Sequence, residues 1–337
     1  MLFTMKRDLC SAYPGRFLLA SIVCLVLCAS TAAQSIHEKL TKRDIDRWAA
    51  EISNWNRWGK QDQLGAVNLI TPEKRREAAR LVKEGISLSI GHDAVTGEAV
   101  DNPHPFVHEM HETGANSDSA ASDTYSVRYH GMVHTHMDAL CHLFYQGKTY
   151  NGYSKEMVTD KGAKMLGIEN LKNGIFTRAV LYDIPALKGA EYLEPRTAIY
   201  PEDLEAWEKK TGVQAGRGDV LLLRTGRWAR RNAKGAWDVS ELAGLHARCA
   251  KWIRQRDLAI LGSDSASDVQ PANVEGIQMP IHKLMLNTLG VWILDNADLE
   301  ELSKVAAQKR RYEFLITINP LRVVGGTGSP VNPTVIF

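Results

Sequence analysis

The chain has 337 residues and a formal net charge of +2, from 41 basic and 39 acidic side chains. This near-neutral balance does not favour partners that bind through charge, such as nucleic acids or anionic membrane surfaces. The length is enough for one large hydrophobic core or two small ones.

The first 33 residues have the pattern of a secretory signal peptide. Lys6, Arg7 and Arg16 precede an apolar run, FLLASIVCLVLCAS, which ends in the small residues TAAQS. That run is shorter than the ~20 residues that span a bilayer, and an uncleaved N-terminal anchor is the alternative. We therefore expect a secreted or periplasmic protein whose mature domain, residues 34–337, carries about zero net charge.

Only Cys141 and Cys249 remain beyond that segment. Two cysteines do not make the disulfide framework of a small secreted scaffold. Because Cys141 stands inside a histidine cluster, we interpret it as a small buried residue, with a bridge to Cys249 as the alternative.

Helical patterns come early in the mature chain. Trp48, Ile52, Trp55 and Trp58 recur at three- and four-residue spacing, which predicts a helix from Arg47 to Trp58 with one buried face. Other segments combine caps, prolines and glycine stops into predicted helices. These are Pro72 to about Gly85, Pro201 to Lys210, Ser240 to Arg256, and His282 to Leu289.

Residues 99–126 are rich in Pro, His, Gly, Asn, Ser and Asp and predict a long loop or pair of loops. Downstream, short aliphatic runs bounded by Gly, Pro, Asp or Asn predict buried strands. These are residues 179–184, 219–224, 258–261, 291–294 and 314–318. Helices alternate with strands, so we expect a single mixed α/β domain with a central β core and flanking helices.

Seven of the eleven histidines fall between His104 and His142, and the densest part reads HGMVHTHMDALCHLF. If the segment is extended, His134, His136 and Asp138 alternate with a period of two and meet one ion. Imidazole and carboxylate ligands suit Zn²⁺, Mn²⁺ or Fe²⁺ rather than Ca²⁺. His142, four residues after Asp138, is either a further ligand or a proton carrier.

A second candidate pair lies far downstream. His282 begins a predicted helix, and Asp295 ends the predicted strand VWILD. In α/β proteins, ligands bind where strands end at the edge of the sheet. The pair therefore belongs to the candidate site, or else His282 caps a helix and Asp295 a turn.

The segment THMDALCHLF resembles the metal-dependent cyclase family, which includes kynurenine formamidase and isatin hydrolase and has the pattern H-x-G-T-H-x-D-x-P-x-H. Other similar blocks follow in the same order. These are LGAVNLITPEKRREAARLV, GDVLLLRTG, residues 262–268, HKLMLNTLGVWILDN and GGTGSPVNP.

The resemblance implies that His136 and Asp138 bind metal and that His142 lies near the reacting group. The family's first histidine falls on Met132, so His134, His130 or water takes its place. His282 and Asp295 match a downstream His and Glu pair of the family.

By resemblance we expect a hydrolase that binds Zn or Mn and splits an amide-like C–N bond with metal-activated water. His142, or His282 as a substitute, transfers the proton. The substrate is a small molecule, and Tyr145, Tyr150 and Tyr153 are compatible with an aromatic one. The resemblance also implies a homodimer or homotetramer. A lyase or cyclase that uses the same ion, and a metal-binding protein without catalysis, are the alternatives.

Overall fold

In this computed structural model the described residues are 39–337, and the predicted signal peptide lies outside them. Strands are numbered along the chain. They are β1 (Leu40–Thr41), β2 (Ser87–Ser89), β3 (Val107–Glu112), β4 (Ser122–Ser126), β5 (His136–Asp138), β6 (Val158–Thr159), β7 (Gly162–Ala163), β8 (Ile175–Asp183), β9 (Ala198–Ile199), β10 (Val220–Arg224), β11 (Gly244–Leu245), β12 (Ile260–Ser263), β13 (Val274–Glu275), β14 (Trp292–Asp295), β15 (Glu313–Ile318), β16 (Gly328–Pro330) and β17 (Thr334–Ile336).

Helices flank these strands. They are α1 (Lys42–Ile52), α2 (Pro72–Ala79), α3 (Ile184–Lys188), α4 (Pro201–Thr211), α5 (Arg227–Lys234), α6 (Cys249–Arg256), α7 (Pro280–His282), which continues as a π-helix over Lys283–Leu289, and α8 (Glu300–Lys309). Short 3₁₀ turns cover Gly65–Leu69, Tyr150–Gly152, Lys155–Met157 and Ile168–Leu171. None of the described helices is long and apolar enough to cross a bilayer.

A nine-stranded sheet of the described residues forms the core, in the order β16-β5-β14-β12-β10-β8-β15-β17-β2. Its centre, β8, β10, β12 and β14, is parallel. These strands are buried aliphatic runs because helices cover both faces of such a sheet. On one side β5 joins β14 in the antiparallel sense. The mixed α/β architecture with a central β core is therefore confirmed.

The five predicted strands correspond to β8, β10, β12, β14 and β15, although their ends differ by up to four residues. The helix predicted from Arg47 to Trp58 is wrong at both ends, since α1 ends at Ile52. The backbone N–H of Asn54 donates to Thr288 O, and Trp55 Nε1 donates to Asn287 O. These long-range hydrogen bonds end α1 and hold the following residues against the π-helix over Lys283–Leu289.

Three other predicted segments need correction. The helix expected from Pro72 to about Gly85 ends at Ala79. The helix expected over Ser240–Arg256 is limited to α6, because Gly244 and Leu245 pair with β9 instead. Residues 99–126 contain the hairpin β3–β4 rather than loop alone. Every hairpin residue except Ser122 is exposed, so no buried apolar face marks these strands in the sequence. Cys141 and Cys249 are buried free thiols.

Candidate metal centre

The sheet places the central histidine and aspartate on one buried face. His136 and Asp138 are the first and last residues of β5, so their side chains point to the same side of the strand. In the pairing of β5 with β14, His136 lies opposite Asp295, the last residue of that parallel strand. The three side chains are almost completely buried. The carboxyl end of the sheet therefore carries a compact imidazole and carboxylate group.

Among residues 39–337, two sets of ligand atoms lie close enough to hold a metal ion. One set is His130, Asp138 and His142, and the other is His136, Asp138 and Asp295. Within each set the ligand atoms lie within 4.8 Å of one another. Asp138 belongs to both sets, and each of its oxygens faces a histidine. Whether one ion or two bind, Asp138 contributes to the coordination.

The polar atoms of this face fit a cation. His130 Nδ1 and Asp138 Oδ1 lie 3.0 Å apart, yet both atoms are buried and neither makes a hydrogen bond. Buried polar atoms that lack a partner cost roughly 1–3 kcal/mol each, and folded proteins contain few of them. A divalent ion with nitrogen and oxygen ligands, such as Zn²⁺ or Mn²⁺, satisfies both atoms.

The His136 ring is held in one orientation. Its Nδ1 lies 2.8 Å from the carbonyl oxygen of His134, which can only accept a hydrogen bond. Nδ1 therefore carries a proton, and Nε2 faces Asp138 Oδ1 at 3.3 Å. Such an outer hydrogen bond is the usual support of a metal-binding histidine.

His130 and His142 stack on each other, with ring centroids 3.8 Å apart and an interplanar angle of 7°. His130 Nε2 lies 3.0 Å from Thr327 Oγ1, which holds its Nδ1 toward Asp138. His142 Nε2 is 4.0 Å from Asp138 Oδ2. Burial lowers the pKa of His142 to about 4, so this imidazole is neutral at pH 7 and accepts protons.

His282 lies between two carboxylates. Its Nδ1 is 2.7 Å from Asp268 Oδ2, and its Nε2 is 3.0 Å from Asp295 Oδ2. Burial alone lowers the pKa of His282, but Asp295 and Asp268 outweigh it and raise that pKa well above the usual value. In this arrangement both ring nitrogens are occupied, so His282 orients Asp295.

Asp138 is ionised despite its burial. Desolvation raises its pKa, but the surrounding imidazoles of His142, His130 and His136 outweigh that effect and hold the pKa well below the usual range. The carboxylate therefore carries a full negative charge in a site that excludes most water. Such a charge attracts a cation more strongly than it would in bulk solvent.

The structure does not bring His134 to this group. Residues 131–134 form a bend and β5 begins only at His136, so the period of two expected for His134 fails. The His134 ring packs against the edge of Phe106, with centroids 6.2 Å apart, and lines a separate cavity of about 300 Å³. His130, rather than His134, lies beside Asp138, with Nδ1 3.0 Å from Oδ1.

The remaining sequence candidates lie elsewhere. His108 pairs with Asp123 and His111 with Thr124 on the exposed hairpin. The hydroxyl of Tyr145 contacts Asp46, and Tyr150 donates to Asp62, outside the site cavity. The aromatic ring beside the ligands is Tyr129 instead, 4.6 Å from His130 and 5.9 Å from His136.

Sequence reasoning missed three residues that support the ligands, Thr327, Asp268 and Asn296. Asp268 precedes α7, which carries His282, by more than ten residues, so spacing alone does not connect them. Thr327 stands in GGTGSP, where Gly328 pairs with Asp138. A Cβ at Gly328 would lie 2.6 Å from Met137 O and 2.9 Å from His130 Cε1, so only glycine permits this close approach.

Comparisons with known proteins agree with this geometry. Residues 86–268 match the model of the Cyclase family. A solved structure described as a novel cyclase is 32% identical, with a TM-score of 0.78 over 86% of this chain and 99% of that one. The chain belongs to the Cyclase family.

More distant members share the Cyclase fold. Isatin hydrolase A from Ralstonia solanacearum is 19% identical, with a TM-score of 0.50 over 74% of this chain and 91% of that one. Isatin hydrolase A from Labrenzia aggregata, bound to benzyl benzoate, is 17% identical, with a TM-score of 0.53 over 77% and 95%. No curated protein matches the chain.

Strand β5, with His136 and Asp138, lies within the matched Cyclase region, whereas His282 and Asp295 lie beyond it. The site therefore combines a region that the family model recognises with later residues that the fold brings to it. His130, Asp138 and His142 come from one segment of the chain. Asp295 reaches them only because β14 pairs with β5.

Proposed function

We propose that this chain is a metal-dependent hydrolase that cleaves an amide-like C–N bond in a small molecule. N-formyl groups and cyclic amides are the leading substrates, and lactones or esters are chemically related ones. The observation that carries the proposal is the convergence of His130, His136, His142 and Asp295 around the buried carboxylate of Asp138.

The donor set favours zinc or manganese. Two or three imidazole nitrogens with carboxylate oxygens match the ligands that these ions take in enzymes, and a catalytic site leaves coordination positions open. When bound, such an ion polarises a substrate carbonyl and lowers the pKa of water to about 7. His130, His136, Asp138 and Asp295 are the residues that would hold it.

His142 is the residue to which we assign proton transfer. Its imidazole lies 4.0 Å from Asp138 Oδ2, beside the ligands, and its side chain keeps 26% of its exposure. It is neutral at pH 7, since burial lowers its pKa to about 4. A neutral imidazole in this place takes a proton from the attacking water and returns it to the leaving nitrogen. His282, with both nitrogens paired to carboxylates, positions Asp295 instead.

Substrate size and class follow from the cavity and the relatives. The site cavity measures about 190 Å³ and includes the side chains of Met132 and Met279 among its walls. This volume suits a molecule of one or two rings. The isatin hydrolases that share the fold support a cyclic amide, and one was solved with the product analogue thioisatinate.

The test begins with protein purified without chelator and analysed for metals. Hydrolysis of aryl formamides, lactams, lactones and esters is then followed before chelation, after chelation, and after zinc or manganese is returned. We expect bound metal and a turnover that chelator removes and the ion restores. Protein that holds no metal, binds none when it is added and turns over no member of the series would overturn the proposal.

Two other outcomes separate the alternatives. A lyase or cyclase would form product without incorporation of oxygen from ¹⁸O-labelled water, whereas a hydrolase incorporates it. A metal-binding protein without catalysis would hold the ion and leave every substrate unchanged. The shift from Met132 to His130 in the ligand segment is the feature that favours this last alternative.

A further inference from the structure

The amide of Asn296 joins the irregular ligand segment to the sheet. Its Nδ2 donates to Gly131 O at 2.8 Å and to His134 O at 3.2 Å. Its Oδ1 accepts from Arg227 Nη1 at 2.7 Å. Asn296 is completely buried and directly follows Asp295, one of the candidate ligands. The Asn296 side chain thus contacts two backbone carbonyls and the guanidinium group of Arg227.

Arg227 fixes the direction of that amide. A guanidinium only donates hydrogen bonds, so it must face Oδ1, and Nδ2 must then face the two carbonyls. Arg227 is itself buried, with its Cζ 4.7 Å from the centre of the Trp228 ring. The Asn296 amide therefore has one orientation that satisfies all its contacts.

The two carbonyls lie at either end of the bend that follows His130 and precedes His136. The carbonyl of His134 accepts from both Asn296 Nδ2 and His136 Nδ1. Its position therefore sets the tautomer and direction of the His136 ring. The bond to Gly131 holds the backbone next to His130, whose Nδ1 faces Asp138.

We propose that Asn296, oriented by Arg227, is a positioning residue for the metal centre. It holds residues 131–134 in the bend that turns His130 and His136 toward the same oxygen of Asp138. This inference rests on the proposed metal-dependent function. An outer-shell partner of this kind changes metal affinity about 10- to 100-fold.

The test is Asn296→Asp. Aspartate has the same size, tolerates the positive φ of 56° at this position, and keeps a partner for Arg227. It offers no N–H, so a carboxylate oxygen faces the two carbonyls and repels them. A role limited to packing or to pairing Arg227 survives this change, whereas the positioning role does not.

Asn54→Asp is the matched control. Asn54 is also buried, donates through Nδ2 to Leu289 O at 2.9 Å, and accepts from Arg57 Nη1 at 3.1 Å. The substitution therefore breaks the same kind of contact at a place outside both ligand sets. Its effect on thermal unfolding measures the general cost of the change.

Zinc affinity is measured by chelator competition for the wild type and both variants. We expect the dissociation constant to rise about 10- to 100-fold in Asn296→Asp and to stay at the wild-type value in Asn54→Asp. Equal affinity in Asn296→Asp and wild type, or equal weakening in the control, would overturn the inference.

A second readout needs no metal. In metal-free protein with ¹⁵N-labelled histidine, the Nδ1–H of His136 should be protected from exchange in wild type and Asn54→Asp and lose protection in Asn296→Asp. A wild type that binds neither zinc nor manganese would defeat the proposed function. The exchange rate of the His136 Nδ1–H would then still test the positioning role. If this proton stayed protected in Asn296→Asp, the positioning role would be overturned.

Discussion

The Asp268 carboxylate holds His282 by two routes. Oδ2 lies 2.7 Å from His282 Nδ1 and accepts the backbone N–H of His282, while Oδ1 accepts the N–H of Ile281. The Asp268 carboxylate thus caps the start of α7 and stabilises the protonated form of the His282 imidazole, which pairs with Asp295. Asp268 therefore supports both the start of α7 and, through His282, the candidate metal ligand Asp295.

Replacement of Asp268 by Asn should therefore weaken metal binding. The amide keeps the size but removes the charge that raises the pKa of His282, and Asp295 loses its oriented partner. We expect the zinc dissociation constant to rise about 10- to 100-fold, measured by chelator competition. Asp183→Asn is the control, since Asp183 caps α3 away from the site. Equal weakening in both variants would show a general folding effect.

Asp138→Ala should abolish bound metal and turnover together, because both ligand sets contain Asp138. The buried imidazoles around it would also lose their negative partner. Metal content by plasma mass spectrometry and hydrolysis of the best substrate measure the two effects on one preparation. An Asp138→Ala enzyme with unchanged turnover would show that the site is misplaced.

The histidines His130 and His134 give a matched pair. His130→Ala removes a ligand from the set that contains Asp138, so its metal affinity should fall by more than the roughly 10- to 100-fold of an outer-shell change. His134→Ala keeps the backbone carbonyl that binds His136 and should hold the ion as wild type does. The reverse result would favour the extended arrangement that the sequence predicts.

His246 should make the fold sensitive to acid. Burial, and then the charge of Arg248, lower the pKa of His246 to about 4. Its Nδ1 accepts the backbone N–H of Arg248 at 3.3 Å, a bond that protonation of Nδ1 breaks. Between the unfolded pKa of about 6.5 and the folded value, the unfolded chain binds a proton that the folded protein does not.

Stability from His246 is therefore complete above pH ~6.5 and falls toward pH ~4, by up to about 3 kcal/mol. Denaturant unfolding across this range measures the slope. His246→Asn should be less stable at pH 7. Its free energy of unfolding should also fall less steeply between pH ~6.5 and pH ~4, with a slope smaller by about one proton. Parallel stability curves for variant and wild type would contradict the assignment.

The sequence predicts the sheet well because β10, β12, β14 and the second half of β8 are short, fully buried and largely aliphatic runs, as expected for parallel strands covered on both faces. It also places Asp295 at a strand end and His136 and Asp138 on one face. It fails where distant contacts decide the local structure. Asn54 and Trp55 lie outside α1 because they donate hydrogen bonds to the π-helix. The spacing of apolar residues in the sequence carries no information about such distant partners.

The same limit explains why the predicted alternation does not extend to His134. Alternation assumes an extended chain, but the bend over residues 131–134 depends on Asn296, which is far away in sequence. The choice of His130 over His134 therefore needs the three-dimensional structure. The predicted export signal and the predicted homo-oligomer stay predictions from the sequence.

Strand β5 is flanked by β14 and β16, and both are synthesised long after it. A nascent chain thus exposes its histidine-rich segment while Asp295 and Thr327 are still to be translated. Zinc met at that stage would find loose imidazoles, and affinity for an unfolded chain works against folding. The ligand set of the proposed metal centre is therefore complete only after β14 and β16 have joined β5.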